Sequence, residues 1–270
     1  MTLGQKWNEL RARNEAGLIA YVMAGFPSVP GSMRMAETLA RNGADMIEIG
    51  LPFSDPIADG PMIQSASNAG LRNGATLDRV LAEVKDLNPG IPLILMSYLN
   101  PLLGRGRSKT FEALMKAGIS GLIIPDLPAD EAHGWASASR AHGVDLILLA
   151  APTSPEERLR KIAAASNGFV YCVGVTGTTG IRKALPPDAG RMVRTLRRIT
   201  DKPLAVGFGI STPGHVRALS ASADGVIVAS RLLRAVETRE DLPSLVRSLK
   251  RATVRSPRSR PSGRRERRGA

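Results

Sequence analysis

Cysteine, histidine and long apolar runs are scarce in this 270-residue chain, and each scarcity excludes a class of protein. Cys172 is the only cysteine, so no disulfide can form within the chain, as suits a reducing cytosol. The three histidines are scattered, and no metal-ligand spacing is present. No apolar run reaches the about 18 residues of a transmembrane helix, and the N-terminal segment lacks a signal peptide's apolar core. We therefore expect a cytoplasmic protein without a bound metal.

Positive charge is concentrated at the C-terminal end. The net charge is +13, and residues 250–270 hold nine Lys or Arg and one Glu. Ser, Pro and Gly fill this segment, so we expect a disordered basic tail over residues 251–270, after a single domain of residues 1–250. Because no aromatic residue is interleaved with the basic ones to stack on bases, nucleic-acid binding is not expected.

Short apolar runs alternate with amphipathic segments along residues 1–250. The predicted strands cover residues 18–23, 46–50, 92–97, 121–124, 145–149, 169–173, 204–206 and 225–228. The predicted helices cover residues 2–13, 32–42, 62–72, 77–87, 110–117, 130–142, 154–165, 188–198, 213–219 and a last stretch to about residue 250. Eight strand–helix units favour an α/β fold of the (β/α)8 TIM-barrel type with an extra N-terminal helix. A doubly wound sheet is the alternative.

The stretch IEIGLPFSDPIADGP, residues 47–61, carries the strongest signal of chemistry. Glu48 lies within the predicted strand 46–50 and would be buried in a sheet covered on both faces. A buried carboxyl needs a partner or a raised pKa, which is a common property of proton-transfer groups. A second carboxylate, Asp59, follows at the strand end where a β/α barrel keeps its active site. As an alternative, Asp59 would simply cap the helix that begins after Pro61.

Glycine-rich or small-residue segments follow the last three predicted strands, namely GVTGTTG (174–180), GFGIS (207–211) and VAS (228–230). Their backbone N–H groups predict a phosphate cradle, since barrels often bind phosphate after the seventh and eighth strands. None of the eight lysines falls in a predicted strand, which argues against a Schiff-base aldolase. The residues favour acid–base catalysis on a phosphorylated substrate.

The 47–61 stretch resembles the signature of the tryptophan synthase alpha chain family. The agreement extends through YVMAGFPS (21–28), SYLNP (97–101), IIPDLP (123–128), TGTTG (176–180) and GFGIS. The resemblance implies a barrel that cleaves indole-3-glycerol phosphate to indole and glyceraldehyde 3-phosphate without a cofactor. It also implies an alpha2-beta2 complex with a beta chain, a pyridoxal-phosphate enzyme that receives the indole through a tunnel.

Four catalytic roles follow from this resemblance. Glu48 resembles the acid that protonates the indole ring carbon as the carbon–carbon bond breaks. Asp59 resembles the carboxylate that accepts the indole N–H. Tyr171 resembles the tyrosine beside the glutamate, although a tyrosine on a strand often serves packing alone. Thr179 resembles the threonine of a mobile loop that orders Asp59 when the loop closes.

The resemblance also implies binding roles for five residues. Tyr21 and Tyr98 match aromatic positions of the pocket, which suit a flat indole ring. The phosphate site is matched by Gly180, Gly209 and Ser230.

The partner surface is matched by four loop residues, Pro52, Phe53, Asp55 and Asn100. Three alternatives stay open at this point. The chain would be a stand-alone indole-producing lyase, a non-catalytic regulatory subunit, or another phosphate-binding barrel enzyme. An indole-glycerol-phosphate synthase, one example of the last class, would need a lysine on a strand.

Two residues of the loop after the eighth strand depart from the family pattern. Ala229 stands where glycine is usual, and Arg231 where a small residue is usual. Because the strand runs directly into a helix, we expect a negative φ at residue 229, which alanine tolerates. Arg231 would either contact the phosphate or point to solvent, and we favour the solvent position.

Overall fold

Nine parallel strands form one sheet in the computed structural model, which describes residues 1–174, 187–207 and 209–255 (only the backbone for residues 187–189). The strands are β1 Gly17–Met23, β2 Met46–Gly50, β3 Leu93–Met96, β4 Ile119–Ile123, β5 Asp145–Ile147, β6 Leu149–Ala150, β7 Val170–Val173, β8 Leu204–Gly207 and β9 Gly225–Val228. Their order is β5-β4-β3-β2-β1-β9-β8-β7-β6. Only Leu148 separates β5 from β6, so the two short strands share one position and the sheet curls into an eight-position barrel. The predicted (β/α)8 fold is confirmed.

Helices surround the barrel. They are α1 Leu3–Ala12, α2 Val29–Arg41, α3 Pro61–Arg72, α4 Leu77–Lys85, α5 Asn100–Leu103, α6 Arg107–Lys116, α7 His133–His142, α8 Glu156–Ala165, α9 Pro187–Ile199, α10 Pro213–Ser220, α11 Ser230–Glu237 and α12 Leu242–Arg251, with a 3-10 turn at Ala129–Glu131. None of them, within the ranges that the structure describes, is long and apolar enough to cross a membrane.

The extra N-terminal helix α1 closes the lower end of the barrel, where the strands begin. Its apolar residues Leu3, Trp7 and Leu10 join the cluster of side chains that fills the barrel interior. Gly225 makes room for this plug, since a Cβ there would lie 2.7 Å from the Trp7 ring. Closing the lower end leaves the opposite end, where the strands finish, for ligands.

Two expected helix boundaries were wrong. The helix predicted over residues 154–165 begins at Glu156 as α8, with Pro155 at the N-cap position and no side-chain hydrogen bond there. The Ser154 hydroxyl accepts instead from the Ala151 N–H at 3.4 Å. The last stretch to residue 250 was expected as a single helix. It is two, α11 and α12, because Arg239 adopts a positive φ of 55° and turns the chain between them.

The ordered fold also continues five residues beyond the expected boundary at residue 250. Ala252 and Thr253 are fully buried, and Val254 forms an antiparallel bridge with Glu15. The Arg255 guanidinium donates to the carbonyls of Ser220 and Ala223 at 2.8 and 2.7 Å. Residues 251–255 therefore belong to the barrel domain, and the expected tail from residue 256 onward lies outside the described residues.

Candidate active site

Three polar side chains lie in the upper layer of the barrel interior: Tyr21 of β1, Glu48 of β2 and Tyr171 of β7. Tyr21 and Glu48 are register partners on adjacent parallel strands, so both point to the same face of the sheet. Ile19 and Met46, two residues earlier on the same strands, belong to the interior cluster that contacts α1. Because side chains of a strand alternate between its two faces, Tyr21 and Glu48 point into the barrel interior as Ile19 and Met46 do.

Glu48 is a buried carboxyl, and no cation among the described residues compensates its charge. Its side chain is 1% exposed, and its Oε2 atom has no hydrogen-bond partner in the part of the chain that the structure describes. Burial, followed by the negative charge of Asp59, raises the pKa of Glu48 to about 8. The carboxyl therefore keeps its proton near neutral pH and can donate it, as a general acid must.

Asp59 is held by a tyrosine, Tyr98, that lies just after the next strand, β3. The Tyr98 hydroxyl donates to Asp59 Oδ2 at 3.1 Å, and the Tyr98 hydroxyl oxygen accepts from the Ala58 N–H at 2.9 Å. Burial raises the pKa of Asp59 to about 6, opposed by this hydrogen bond, so the carboxylate is mostly ionised at neutral pH. Gly60 is the N-cap residue of α3 and no side chain caps that helix, which excludes the alternative role of Asp59 as a cap.

The loop that carries Asp59 is fixed at its start by α3. The Ser67 hydroxyl of α3 accepts from the Phe53 N–H and donates to the Phe53 carbonyl, both at 2.9 Å. The Phe53 ring stacks on Tyr98 with a centroid separation of 5.1 Å. Pro52 is buried and packs against Gly70 of α3. These contacts position Asp59 relative to the ends of β2 and β3.

Tyr171 is half-buried and leans over β8. A Cβ on Gly207 would lie 2.3 Å from the Tyr171 hydroxyl, so glycine leaves the space that this ring fills. Burial and then the charges of Glu48 and Asp59 raise the pKa of Tyr171 well above its usual range. The phenol is therefore protonated and lies within electrostatic reach of both carboxyls, while its ring also packs in the barrel interior.

The loops after β8 and β9 offer backbone donors. Gly209 adopts a φ of 63° in the loop after β8. No described side chain caps α11, whose first residue is the half-buried Ser230, and an uncapped helix N-terminus attracts anions. Ala229 has a φ of −118°, which confirms that alanine fits there. Two other predicted residues of this site, Thr179 and Gly180, lie outside the described residues.

Arg231 does not point to open solvent, contrary to expectation. One nitrogen of its guanidinium pairs with Glu240 Oε2 at 2.5 Å, and its side chain is only 20% exposed. Glu240 lies at the level of Ala235, since its N–H donates to the Ala235 carbonyl. The Arg231 side chain therefore runs along α11 towards its C-terminal end. Glu240 balances the positive charge of Arg231, which is otherwise unfavourable in the first turn of a helix.

An exposed surface adjoins the two carboxyls. Of the residues expected against a partner, Asp55 and Asn100 are exposed, whereas Phe53 is half-buried. Ile57, in the loop that carries Asp59, is 83% exposed, and Leu103 of α5 is 55% exposed. Sequence reasoning missed both apolar residues. The signal for Ile57 was an isolated apolar side chain within a polar loop, which is weak without the fold, and Leu103 of α5 gave no comparable signal.

The chemistry available here is proton transfer on a flat ligand. A protonated carboxyl and an ionised one lie at the same end of the barrel, beside three tyrosines. The ends of β9 and β8, with their backbone N–H groups, are two and three strand positions away. In the described ranges, no three His, Cys, Asp or Glu side chains are grouped so as to hold a metal ion.

Comparisons with known proteins agree with this geometry. A family model described as tryptophan synthase alpha chain matches residues 7–256. The tryptophan synthase alpha chain of Methanosarcina mazei is 45% identical over 254 residues, covering 92% of this chain and 93% of that protein. The alpha chain of a Picosynechococcus strain is 42% identical over 240 residues, covering 88% and 91%.

Solved structures give the same result. A chain of Mycobacterium tuberculosis tryptophan synthase superposes with a TM-score of 0.89 at 38% identity, covering 94% of this chain and 98% of that one. Tryptophan synthase subunit alpha of Legionella pneumophila superposes with a TM-score of 0.84 at 31% identity, covering 94% and 98%.

Proposed function

Because the chain belongs to the tryptophan synthase alpha chain family, we propose that Glu48 and Asp59 are the catalytic pair of its alpha reaction. The chain is a lyase of tryptophan biosynthesis, and it cleaves indole-3-glycerol phosphate to indole and glyceraldehyde 3-phosphate. The observation that carries the proposal is the buried Glu48 carboxyl, whose pKa is raised to about 8 and which lies within electrostatic reach of a second, ionised carboxylate.

Each carboxyl has a distinct part in the reaction. Glu48 holds a proton at neutral pH and delivers it to the indole ring carbon, which turns the indole into a leaving group. Asp59 accepts the indole N–H and stabilises the positive charge that protonation creates on the ring, because its hydrogen bond from Tyr98 fixes the carboxylate in the required position. The bond between the protonated ring carbon and the glycerol chain then breaks, and its electron pair returns to the indole ring. The hydroxyl on the separating carbon gives its proton to the Glu48 carboxylate, which restores the acid, and becomes the aldehyde.

The phosphate would lie at the ends of β8 and β9. The free first turn of α11 at Ser230 and the loop at Gly209 supply backbone N–H groups, which bind a dianion without a lysine. Arg231 pairs with Glu240 through one guanidinium nitrogen, and its buried Nη1 atom has no partner among the described residues. The roles of Tyr171 beside Glu48, and of Thr179 and Gly180 in the lid and phosphate loop, remain predictions from the family pattern.

The test is indole release by Glu48→Gln. An amide matches the shape of the carboxyl but cannot transfer its proton, so we expect indole formation to fall by about 100-fold or more, with the binding of glycerol 3-phosphate retained. Glu112→Gln is the matched control, because Glu112 lies on α6, away from the site, with its side chain 46% exposed. Substantial turnover in Glu48→Gln would sink the assignment.

The alpha chains of this family work with a beta chain, and we propose that one docks on the exposed surface beside the carboxyls in an alpha2-beta2 complex. Ile57 and Leu103 supply apolar area at the ends of neighbouring strands β2 and β3, and Asp55 and Asn100 supply polar groups at its rim. Activation of the isolated chain by an added beta chain would favour this over a stand-alone lyase.

The partner surface is tested by Ile57→Ser, which should weaken activation by the beta chain and leave the basal rate of the isolated chain in place. Met115→Ser is the matched control, since Met115 is 47% exposed on α6. If both variants bind the beta chain like the wild type, the proposed surface is wrong. If the chain turns over no substrate but still activates a beta chain, the regulatory-subunit alternative holds.

A further inference from the structure

Tyr21 carries a buried hydroxyl whose hydrogen-bonding capacity is almost unused. The side chain is 2% exposed. Within the described residues its only hydrogen-bond partner is the Met23 sulfur at 3.9 Å, and a thioether is a weak acceptor. Buried hydroxyls in proteins normally have a good hydrogen-bond partner. A bound ligand would supply the one that this hydroxyl lacks.

The direction of the ring is fixed by a glycine. Met23 of β1 and Gly50 of β2 are register partners, and a Cβ on Gly50 would lie 2.0 Å from the Tyr21 hydroxyl. The phenol therefore rises from the level of Glu48 to the level of Gly50, towards the open end of the barrel. Its hydroxyl reaches the layer just above the Glu48 carboxyl.

The order of the strands places this hydroxyl between the two halves of the proposed substrate site. Strand β1 lies between β2, which carries Glu48, and β9, which leads into α11 at Ser230. A ligand with its indole ring at the carboxyls and its phosphate at α11 must pass its three-carbon chain across β1. That chain carries hydroxyl groups. Burial, followed by the negative charge of Asp59, raises the pKa of Tyr21 well above its usual range, so the phenol is protonated and can donate.

We propose that the Tyr21 hydroxyl is a ligand of the glycerol part of the substrate, hydrogen-bonded to the hydroxyl on the carbon that separates from the indole ring. The inference rests on the proposed function and adds a residue that recognises the linker between ring and phosphate. The hydrogen bond orients that hydroxyl as it becomes the aldehyde oxygen. It also gives the site a means to favour a hydroxylated chain over a plain alkyl chain.

The experiment compares Tyr21→Phe with the wild-type full chain on two ligands. Phenylalanine keeps the ring and removes only the hydroxyl. We expect kcat/KM for indole-3-glycerol phosphate to fall about tenfold (about 1.4 kcal/mol). The dissociation constant of 3-(indol-3-yl)propyl phosphate, which lacks both chain hydroxyls, should stay unchanged. Met23→Leu is the control, since it removes the sulfur and keeps the hydroxyl, and it should turn over substrate like the wild type.

Four outcomes would overturn the inference. Equal kcat/KM in wild type and Tyr21→Phe would show that the hydroxyl makes no useful contact. An equal loss for both ligands would show a packing role, which a lowered melting temperature would reveal separately. A shift of the alkaline limb of the pH profile, without a difference between the two ligands, would show that the hydroxyl acts on the pKa of Glu48 and not on the glycerol chain. A loss of kcat/KM in Met23→Leu as large as that in Tyr21→Phe would show that the hydroxyl acts through its contact with the Met23 sulfur. A wild-type chain that releases no indole would instead refute the proposed function.

Discussion

Replacement of Glu48 by methionine should make the barrel more stable, and the gain should grow with pH. Methionine has nearly the length and volume of glutamate, carries no charge and needs no hydrogen-bond partner. The Glu48 carboxyl is fully buried, and its Oε2 atom has no partner within the described part of the chain. Ionising it inside the folded protein is therefore costly, whereas the unfolded chain ionises it freely.

The magnitude follows from the pKa of Glu48, which burial raises from 4.5 to about 8. The folded state binds this proton more tightly than the unfolded state does. The unfolding free energy of the wild type is therefore undiminished below about pH 4.5. It declines as the pH rises towards 8. The whole shift corresponds to about 5 kcal/mol at about 1.4 kcal/mol per pKa unit. About 3 kcal/mol of that falls between about pH 5.5 and about pH 8.5.

The assay is urea unfolding of wild type and Glu48→Met at those two pH values. The difference in unfolding free energy between the two proteins should widen by about 3 kcal/mol at the higher pH. Glu48→Gln is the control, since glutamine also does not titrate. It should show the same pH-dependent gain on top of a constant cost from its buried amide. A difference that stays constant with pH would refute the raised pKa.

Three further predictions follow from the site and the C-terminal segment. The kcat/KM for indole formation should rise as Asp59 ionises near pH 6 and fall as Glu48 loses its proton near pH 8, giving a bell-shaped profile. A profile that stays flat from about pH 5 to about pH 9, across both limbs, would contradict the assigned roles. Tyr98→Phe should lower kcat about tenfold at an unchanged melting temperature, because it frees Asp59 without opening a cavity. An unchanged kcat would show that the tyrosine does not position the carboxylate. Deleting residues 256–270 should change neither turnover nor melting temperature. Deleting residues 251–270 should cost about 2–4 kcal/mol in urea unfolding through lost burial and hydrogen bonds, and equal stability of the two truncations would disprove the extended boundary.

The barrel and its first carboxyl could be predicted from local patterns. Predicted strands 46–50 and 225–228 have the observed bounds, because each is a short apolar run flanked by turn residues. Within the first of them, the alternation of faces was enough to expect Glu48 to be buried. Strand pattern and burial are properties of a few consecutive residues, which a sequence shows directly.

Contacts between distant residues could not be predicted in this way. Tyr98 was expected in the pocket, but its hydrogen bond to Asp59 joins residues 39 apart and depends on how two loops fold. The same holds for Arg255, whose partner carbonyls lie 32 and 35 residues away. Its basic, Pro- and Ser-rich surroundings resemble a disordered tail in composition, although its side chain anchors the end of the fold.

The ion pair between Arg231 and Glu240 shows a further limit of local reasoning. A cation in the first turn of a helix suggests either an anionic ligand or solvent, since the helix N-terminus disfavours positive charge. The chain turn at Arg239 brings Glu240 back beside the helix and provides a third solution. That turn depends on a positive φ at a residue other than glycine, for which the sequence offers little signal.

The central claim is that Glu48 holds a proton at neutral pH, and the most direct test is to titrate that one carboxyl. In full-length protein carrying glutamate labelled with carbon-13 at the side-chain carboxyl, the resonance absent from Glu48→Gln identifies Glu48. Its chemical shift, followed by NMR across the pH range, should report a pKa near 8. A midpoint near the ordinary value of 4.5 would mean that Glu48 is ionised at neutral pH and cannot be the proton donor.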